Sequence, residues 1–283
     1  MTETYNTPNL TKLECVVTCV NYADFLAHTL PHNRTLFDNM VVVTTPEDKA
    51  TQRVCEYWHV RCVQTKRFNE NASFRKGAGI NAGLDVLKKD AWIVHMDADI
   101  MLPPLFKNLI QGAELDPTMV YGCDRFMSTS YQEWAEFVTT PRLQHENNVF
   151  IHTSSFPIGV RIFRPNYGGY IPIGFFQMWH GSSGVDKYPE EHTTAGRGDM
   201  LFAAKWPRAK RGFLPEIIAY HLESEKVKMA ANWNGRTTQQ FGPPQVEGEA
   251  APLDLTSISP YLPAEKWYQK CGRFVRKIFF KPE

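Results

Sequence analysis

The sequence predicts an α/β fold, a mostly parallel sheet with helices on both faces, followed by an irregular C-terminal lobe. Two observations carry this. Four short apolar runs in the first half of the chain are separated by spacers of helix length. From about residue 130 to 200, proline, glycine and aromatic residues break the chain and no clean period survives. Short apolar runs joined by helix-length spacers imply right-handed βαβ crossovers and a sheet covered on both faces.

The elements follow in order. "LECVVTCV" (13–20) reads as the first strand, "MVVVTT" (40–45) as the second, "VRCVQT" (60–65) as a shorter third and "AWIVHMD" (91–97) as the fourth. Residues 22–37, 46–58 and 74–88 have helical character. After Pro103, "LPPLFKNLIQGAEL" predicts a helix and "TMVYGCDRFM" a further strand, and another helix is expected near 198–206. "FGPPQVEGEAAPLD" (241–254) has the composition of a flexible connector. The expected division is a ligand-binding half (1–125), a second half of the same domain (126–240), and a linker with a basic tail (241–283).

Composition sets bounds. A chain of 283 residues, 43% hydrophobic, can bury a sizeable core. A net charge of +1 selects neither nucleic acid nor membrane through a global field. No run of 18 apolar residues occurs, so no membrane-spanning helix is expected. "MTETYNTPNL" has neither the basic start nor the apolar stretch of a secretory signal. The six cysteines form no CxxC pair and sit mostly in apolar surroundings, which suggests reduced thiols and a cytoplasmic location.

"WIVHMDADIML" (92–102) places Asp97 and Asp99 at the end of an apolar strand. Ligands of open α/β sheets gather at strand carboxyl ends. An unpaired buried carboxylate is expensive, so a cation should meet these two. One reading is a DxD site for a divalent cation gripping a diphosphate; the other is an Asp that caps the next turn. In "FNENASFRKGAGINAGLD" (68–85), Arg75 and Lys76 precede a glycine-rich helix start and Asn81 lies one turn later. That suits an anion at a helix N-terminus; equally, the glycines let the helix pack closely on the sheet.

Together these segments resemble the nucleotide-sugar-binding half of family 2-like glycosyltransferases of the GT-A fold, over roughly residues 12–125. The resemblance rests on "NYADFL" after the first strand, then "SFRKGAGINAGLD", then "HMDADI". It implies a metal-dependent transferase using a nucleoside-diphosphate sugar, most simply a uridine one. Thr18, Val20, Tyr22 and Thr44 would contact the nucleoside, and Asp97, Ala98 and Asp99 the diphosphate and ribose. Mn²⁺ or Mg²⁺ would be held by Asp97, Asp99 and the late His221 of "EIIAYHLESE". The second-strand acid of many relatives is not identifiable here, and the tryptophan pattern of their acceptor site is loose. Asp199, in "TTAGRGDMLFAAKWP", resembles the position at which inverting enzymes of this fold carry the catalytic base; an Asp there is also a good helix N-cap. Asp186, Glu190, Glu191 and His192 are its rivals.

Asn234 and Arg236 of "NWNGR" could close over a diphosphate, with Trp233 packing on the donor. Gln177, Trp179 and His180 of "PIGFFQMWHGSSG" are candidates for the acceptor site, although core packing would equally account for its aromatic residues. In the tail, Trp267, Cys271, Phe274 or Val275, and Ile278 recur at helical spacing among Lys266, Lys270, Arg273, Arg276 and Lys277. That suits an anionic surface, or a helix docked by its apolar side. The acceptor stays open between glycan, lipid, protein and small molecule, with hydroxymethylated DNA a further class. The rival functions are a nucleotidyltransferase releasing pyrophosphate and a nucleotide- or glycan-binding module without turnover.

Overall fold

The computed structural model describes residues 12–72, 74–128, 130–139, 163–164, 169–191, 197–223, 235–243 and 253–258. The four expected strands are β1 (Leu13–Thr18), β2 (Asn39–Thr44), β3 (Arg61–Gln64) and β4 (Trp92–Asp97). They pair in parallel, with β1 between β2 and β4 and β3 outside β2. β1 is buried along its whole length, which is why it carries no alternation of polar residues. Its one acid, Glu14, is satisfied internally. Oε1 accepts from Asn39 Nδ2 at 2.9 Å, and Oε2 from the Lys88 and Lys89 amides at 2.9 and 3.2 Å.

The pleat sorts β1 onto two cores. Leu13, Cys15 and Val17 join one, with α1 (Ala23–Asn33) and α2 (Lys49–Tyr57) packed over it. Val16, with Val41 and Val43, joins the other, under α3 (Lys76–Leu84). A Cβ on Gly83 of α3 would lie 2.6 Å from Val16 Cγ1 and 2.7 Å from Val43 Cγ2. Such overpacking costs about 1–3 kcal/mol, which outweighs the ~1 kcal/mol cost of glycine in a helix. The packing explanation therefore accounts for Gly83 without any ligand.

Beyond β4 the chain makes a two-residue strand β5 (Ile100–Met101), α4 (Phe106–Gly112) and β6 (Val120–Ser128). α5 (Tyr131–Thr139) follows, then β7 (Phe163–Arg164) and β8 (Gly169–Tyr170), which pair with each other alone. β9 (Phe176–His180), α6 (Gly198–Ala203) and β10 (Arg211–Leu222) complete the described elements. The main sheet has eight strands in the order β3-β2-β1-β4-β9-β6-β10-β5. β9 is antiparallel to both neighbours, β4 and β6, while β6 and β10 run parallel. The expected mostly parallel α/β sheet with both faces covered is what forms. The stretch from about 130 to 200, read as irregular structure with strands, contains the sheet-centre strand β9 and also a helix that was not expected there, α5. No helix among the described residues is long and apolar enough to cross a membrane. The basic tail lies outside the described residues.

Candidate active site

The site forms at the carboxyl ends of β1 and β4, where Thr18 and Asp97 are register partners. After Asp97 the chain turns through Ala98 and Asp99 and enters β5, which pairs antiparallel with the end of β10. Ile100 stands opposite His221, and the Leu222 amide donates to the Asp99 carbonyl at 2.8 Å. This short ladder puts His221 Nε2 3.3 Å from Asp99 Oδ2 and 3.7 Å from Glu223 Oε1. All three side chains are buried. Asp99 Oδ1 and His221 Nδ1 are buried without a hydrogen-bond partner, which is costly unless a ligand supplies one. Sequence reading missed Glu223. Its signal was an acid two residues after His221, on the same face of the strand.

Asp97 takes a different partner. Its Oδ1 accepts from the ammonium of Lys76, the first residue of α3. Burial pushes the Asp97 carboxyl above its ordinary value, and the neighbouring Asp99 adds to this against the pull of Lys76. For Lys76, burial acts downward, but Asp97, Asp199 and Asp99 together raise the ammonium above the usual lysine value. Lys76 therefore sits in the combined field of three carboxylates. Among the described residues no group of three His, Cys, Asp or Glu side chains is arranged to hold a metal ion. The expected trio of Asp97, Asp99 and His221 is thus split: Asp99 faces His221, and Asp97 faces Lys76.

Asp199 stands in the first turn of α6. Its Oδ2 accepts from the Gly174 amide at 2.8 Å and its Oδ1 from the Met200 amide at 2.7 Å. A Cβ on Gly174 would come within 2.8 Å of Asp199 Cβ, so the loop before β9 fits closely against this carboxylate. Gln177 binds the same turn. Its Nε2 donates to the Asp199 carbonyl at 3.0 Å and to the Pro172 carbonyl at 2.8 Å, while its Oε1 accepts from Tyr188. Gln177 is wholly buried and braces α6 instead of facing an acceptor.

A second residue that sequence reading missed is Arg125 on β6. It is 7% exposed, its guanidinium carbon lies 4.7 Å from the centre of the Phe175 ring, and its Nε has no hydrogen-bond partner. Burial lowers its pKa, against the opposing pull of Asp99, Asp97 and Glu223. Phe175 in turn accepts the Asp97 amide at its carbonyl, at 3.2 Å.

Several expected ligand contacts are committed elsewhere. Asn81 bonds to the backbone of Tyr188 through Oδ1 (2.8 Å) and Nδ2 (3.0 Å), and Nδ2 also reaches Glu190. Arg75 donates to the Glu190 carbonyl through Nε (3.1 Å) and Nη2 (2.8 Å). Both side chains thus strap the segment around Tyr188 onto α3. Of the rivals to Asp199, Glu190 is engaged by Arg67 and Asn81 and Glu191 caps the Glu190 amide. Thr44 is buried and donates to Asp48 Oδ2 at 3.0 Å. Asp48 also N-caps α2 through the Thr51 amide and accepts the Asn21 amide at 2.7 Å. It is therefore an acid after the second strand, spent on holding the loop that carries Val20 and Tyr22. Trp179 is fully buried against Phe202, with ring centres 4.8 Å apart. His180 pairs in register with Trp92, the first residue of β4, about 16 Å of strand from Asp97. The sheet thus carries these two away from the site. Trp233, Asn234 and His192 lie outside the described residues.

Arg236 is a correction of the same kind. Its Nη1 and Nη2 form a bidentate pair with the buried Asp24 at 2.6 and 2.7 Å. Nη1 also reaches the Asn21 carbonyl at 2.8 Å, Nε reaches the Thr238 carbonyl at 3.0 Å, and Nη2 reaches the Gln239 carbonyl. All five donors are used, so this guanidinium pins the segment 235–243 over the start of α1 and has none left for a diphosphate. Tyr22 is covered by it, at 4.8 Å, and its hydroxyl bonds Thr238 at 2.6 Å. Arg236→Ala leaves Asp24 buried and unpaired, and is expected to cost about 3 kcal/mol. Urea unfolding followed by circular dichroism measures this; a midpoint at the wild-type value would contradict the account.

No family model matches the chain, and no curated protein does. Solved structures do. A mycobacterial protein is similar at 15% identity, with a TM-score of 0.43, over 78% of this chain and 69% of that one. Glucosyl-3-phosphoglycerate synthase from Mycobacterium tuberculosis, in complex with Mn²⁺, uridine diphosphate and glucosyl-3-phosphoglycerate, is similar at 14% identity. The TM-score there is 0.45, over 77% of this chain and 78% of that one. The same enzyme with Mg²⁺ and uridine diphosphate gives 15% identity and a TM-score of 0.40, over 75% and 71%. Likeness at this level carries no argument about activity, which has to come from the residues themselves.

Proposed function

We propose that this chain is a metal-dependent glycosyltransferase. It moves a sugar from a nucleoside-diphosphate donor, a uridine donor by the resemblance above, to an acceptor hydroxyl. The observation that carries the reading is the convergence of Lys76, Asp97, Asp99, Asp199 and His221 at the carboxyl ends of parallel strands, with Lys76 in the field of three of these acids. A divalent cation fits this donor set. Asp99 offers a buried oxygen with no partner and His221 a buried imidazole beside it. Two protein ligands leave coordination positions for phosphate oxygens, as Mn²⁺ or Mg²⁺ commonly requires.

When bound, the ion would supply Lewis-acid stabilisation of the departing diphosphate and a template for it. Asp99 and His221 are the residues that would hold it. Lys76 adds positive charge at the first turn of α3, where negative charge develops on the leaving group. Asp199 accepts the acceptor's hydroxyl proton as that oxygen attacks the anomeric carbon. The anomeric carbon–oxygen bond to the diphosphate breaks on the opposite side, so the sugar's configuration inverts. The two amides on Asp199 fix its orientation, and each carboxylate oxygen keeps a second lone pair for a substrate.

The deciding assay incubates the protein with uridine diphosphate sugars, nucleoside triphosphates and MnCl₂, and identifies the products. Released nucleoside diphosphate supports the reading. Pyrophosphate would instead indicate a nucleotidyltransferase, and binding without turnover a module that only holds its ligand. The anomeric configuration of the product, read by NMR, tests inversion.

Arg125 points to the class of acceptor. A buried guanidinium with an unpartnered Nε is satisfied by a carboxylate or phosphate, so the reading favours an acceptor that carries an anionic group. A panel of hydroxy acids, sugar phosphates and neutral sugars separates this from a neutral acceptor. Arg125→Met is expected to raise the acceptor KM about 10- to 100-fold, the worth of a charge-assisted hydrogen bond, while donor affinity stays near wild type. An unchanged acceptor KM would remove Arg125 from that role.

A further inference from the structure

Resting on the reading of Asp199 as the base, we infer that His95 and Tyr188 are positioning residues for it. They act through Gln177, in a one-way chain of hydrogen bonds that starts at His95 Nδ1 and ends on the turn carrying Asp199. The chain is assembled by register. β4 and β9 are antiparallel, and His95 and Gln177 stand directly opposite each other, so their side chains leave the sheet on the same face. Tyr188 lies over both. Its backbone is bonded to Asn81 of α3, its ring stacks on Phe202 of α6 at 3.8 Å, and its hydroxyl meets His95 and Gln177 together. All three side chains are buried.

The direction of every proton follows from the Gln177 end. Its amide faces two carbonyls, those of Pro172 at 2.8 Å and Asp199 at 3.0 Å. A carbonyl only accepts, so the amide must turn its NH₂ to them and its oxygen to Tyr188. The tyrosine hydroxyl has one hydrogen and spends it on that oxygen. His95 Nδ1, 3.3 Å from the same hydroxyl, is then the donor to it. A neutral imidazole with its proton on Nδ1 has none on Nε2, which is buried without a partner. The opposite tautomer would set Nδ1 and Gln177 Oε1 against each other for one hydrogen, and would bury an N–H with no acceptor.

Gln177 turns that order into placement. Its two hydrogens hold the carbonyls of Asp199 and Pro172, and the loop from Pro172 carries Gly174, whose amide holds Asp199 Oδ2 at 2.8 Å. The backbone and the carboxylate of Asp199 are thus tied to one side chain and its loop. Were the Gln177 amide to turn over, its oxygen would face two carbonyl oxygens and both ties would be lost. Tyr188 opposes that rotation, because its hydroxyl can only donate to Gln177 while His95 donates to it.

The first test is independent of turnover. The full chain is labelled with ¹⁵N-histidine, and long-range ¹H–¹⁵N spectra report which ring nitrogen of His95 carries the proton, the His95→Asn variant identifying the resonance. A single proton on Nδ1 is expected at neutral pH; a proton on Nε2 overturns the inference whatever Asp199 does. The second test measures release of uridine diphosphate from UDP-glucose with MnCl₂, water serving as the acceptor. Tyr188→Phe keeps the ring on Phe202 and removes only the hydroxyl. It is expected to lower kcat about tenfold, the worth of one hydrogen bond, with the donor KM unchanged. A residue that only supports the fold would slow the reaction by the same factor with or without the base. The substitution is therefore repeated in Asp199→Asn, where it should cost nothing more. An unchanged kcat in Tyr188→Phe, or an equal loss in both backgrounds, overturns the inference and leaves the base reading intact. A wild-type kcat in Asp199→Asn removes the base reading and the inference with it. Should Tyr188→Phe not fold, His95→Asn and His95→Leu replace it. The asparagine amide can supply the donor that Nδ1 supplies and leucine cannot, so an equal loss of kcat in the two refutes the chain.

Discussion

Asp99→Asn is expected to bind uridine diphosphate no better with Mn²⁺ present than without it. The substitution is nearly isosteric and leaves the backbone bond from the Leu222 amide to the residue 99 carbonyl in place, so β5 stays paired to β10. What it removes is charge, at the one acid of the pair that has a buried unpartnered oxygen (Oδ1) and the imidazole of His221 beside its other oxygen (Oδ2). A neutral amide oxygen binds a divalent cation more weakly than a carboxylate, through which Mg²⁺ is usually held. Loss of outer-shell partners alone costs metal affinity 10- to 100-fold in known sites, so loss of a direct ligand should cost about 100-fold or more. Thermal shift reads this directly, because a ligand that binds only the folded state raises the melting temperature. The wild type should show a larger shift with nucleotide and metal together than the separate shifts combined. Asp99→Asn should show no such excess; if it keeps the excess, the metal is held elsewhere and the proposed site is wrong.

Much of the sheet was legible because β1, β2 and β4 have a plain signature: short apolar runs with helix-length spacers. The DxD was legible for the same reason, since it ends one of those runs. β9 was not. "FQMWH" lies between β4 and β6, with Phe176, Met178 and Trp179 wholly buried, so its sequence shows neither alternation nor charge to mark its faces. α5 did carry a signal that went unused: Tyr131, Trp134 and Phe137 recur at helical spacing before Pro141. The convergence of Asp99 with His221 depends on a two-residue ladder, and no local propensity announces a strand that short.

The expected ligand residues that the structure engages internally share one physical feature. Arg236 next to a glycine looks like a solvated or ligand-facing cation until its partner is known, and that partner is Asp24, far away in sequence. Asn81, Arg75 and Thr44 were expected to touch a donor, yet each is consumed by a backbone or acid that a linear pattern does not place beside it. Arg125 and Glu223 went unnoticed for the converse reason. Nothing in "GCDRFM" or "YHLES" says that these charges point inward. Polar types at a strand end suggest a site, but which of them remain available to a ligand is decided by the long-range pairing.

The sharpest separation between binding and chemistry should come from Asp199→Asn. Asparagine keeps one oxygen that can accept the Gly174 amide, so one of the two anchoring bonds survives. The other, to the Met200 amide, is lost. One such bond is worth about 1 kcal/mol, so the protein should fold. The carbonyl of residue 199 still receives Gln177, and the ring of Tyr188 still stacks on Phe202 of the same helix at 3.8 Å. Donor binding should therefore change little. Transfer should fall by about 10²- to 10⁴-fold, the usual contribution of a positioned base, because an amide cannot take the hydroxyl proton. Steady-state kinetics should show the loss in kcat, with the donor KM near its wild-type value. If instead kcat is retained, the proton goes to another group and Asp199 serves α6 only as an anchor for the loop before β9. If donor affinity collapses along with kcat, Asp199 acts through Lys76, whose charge it helps to hold, and not as the base.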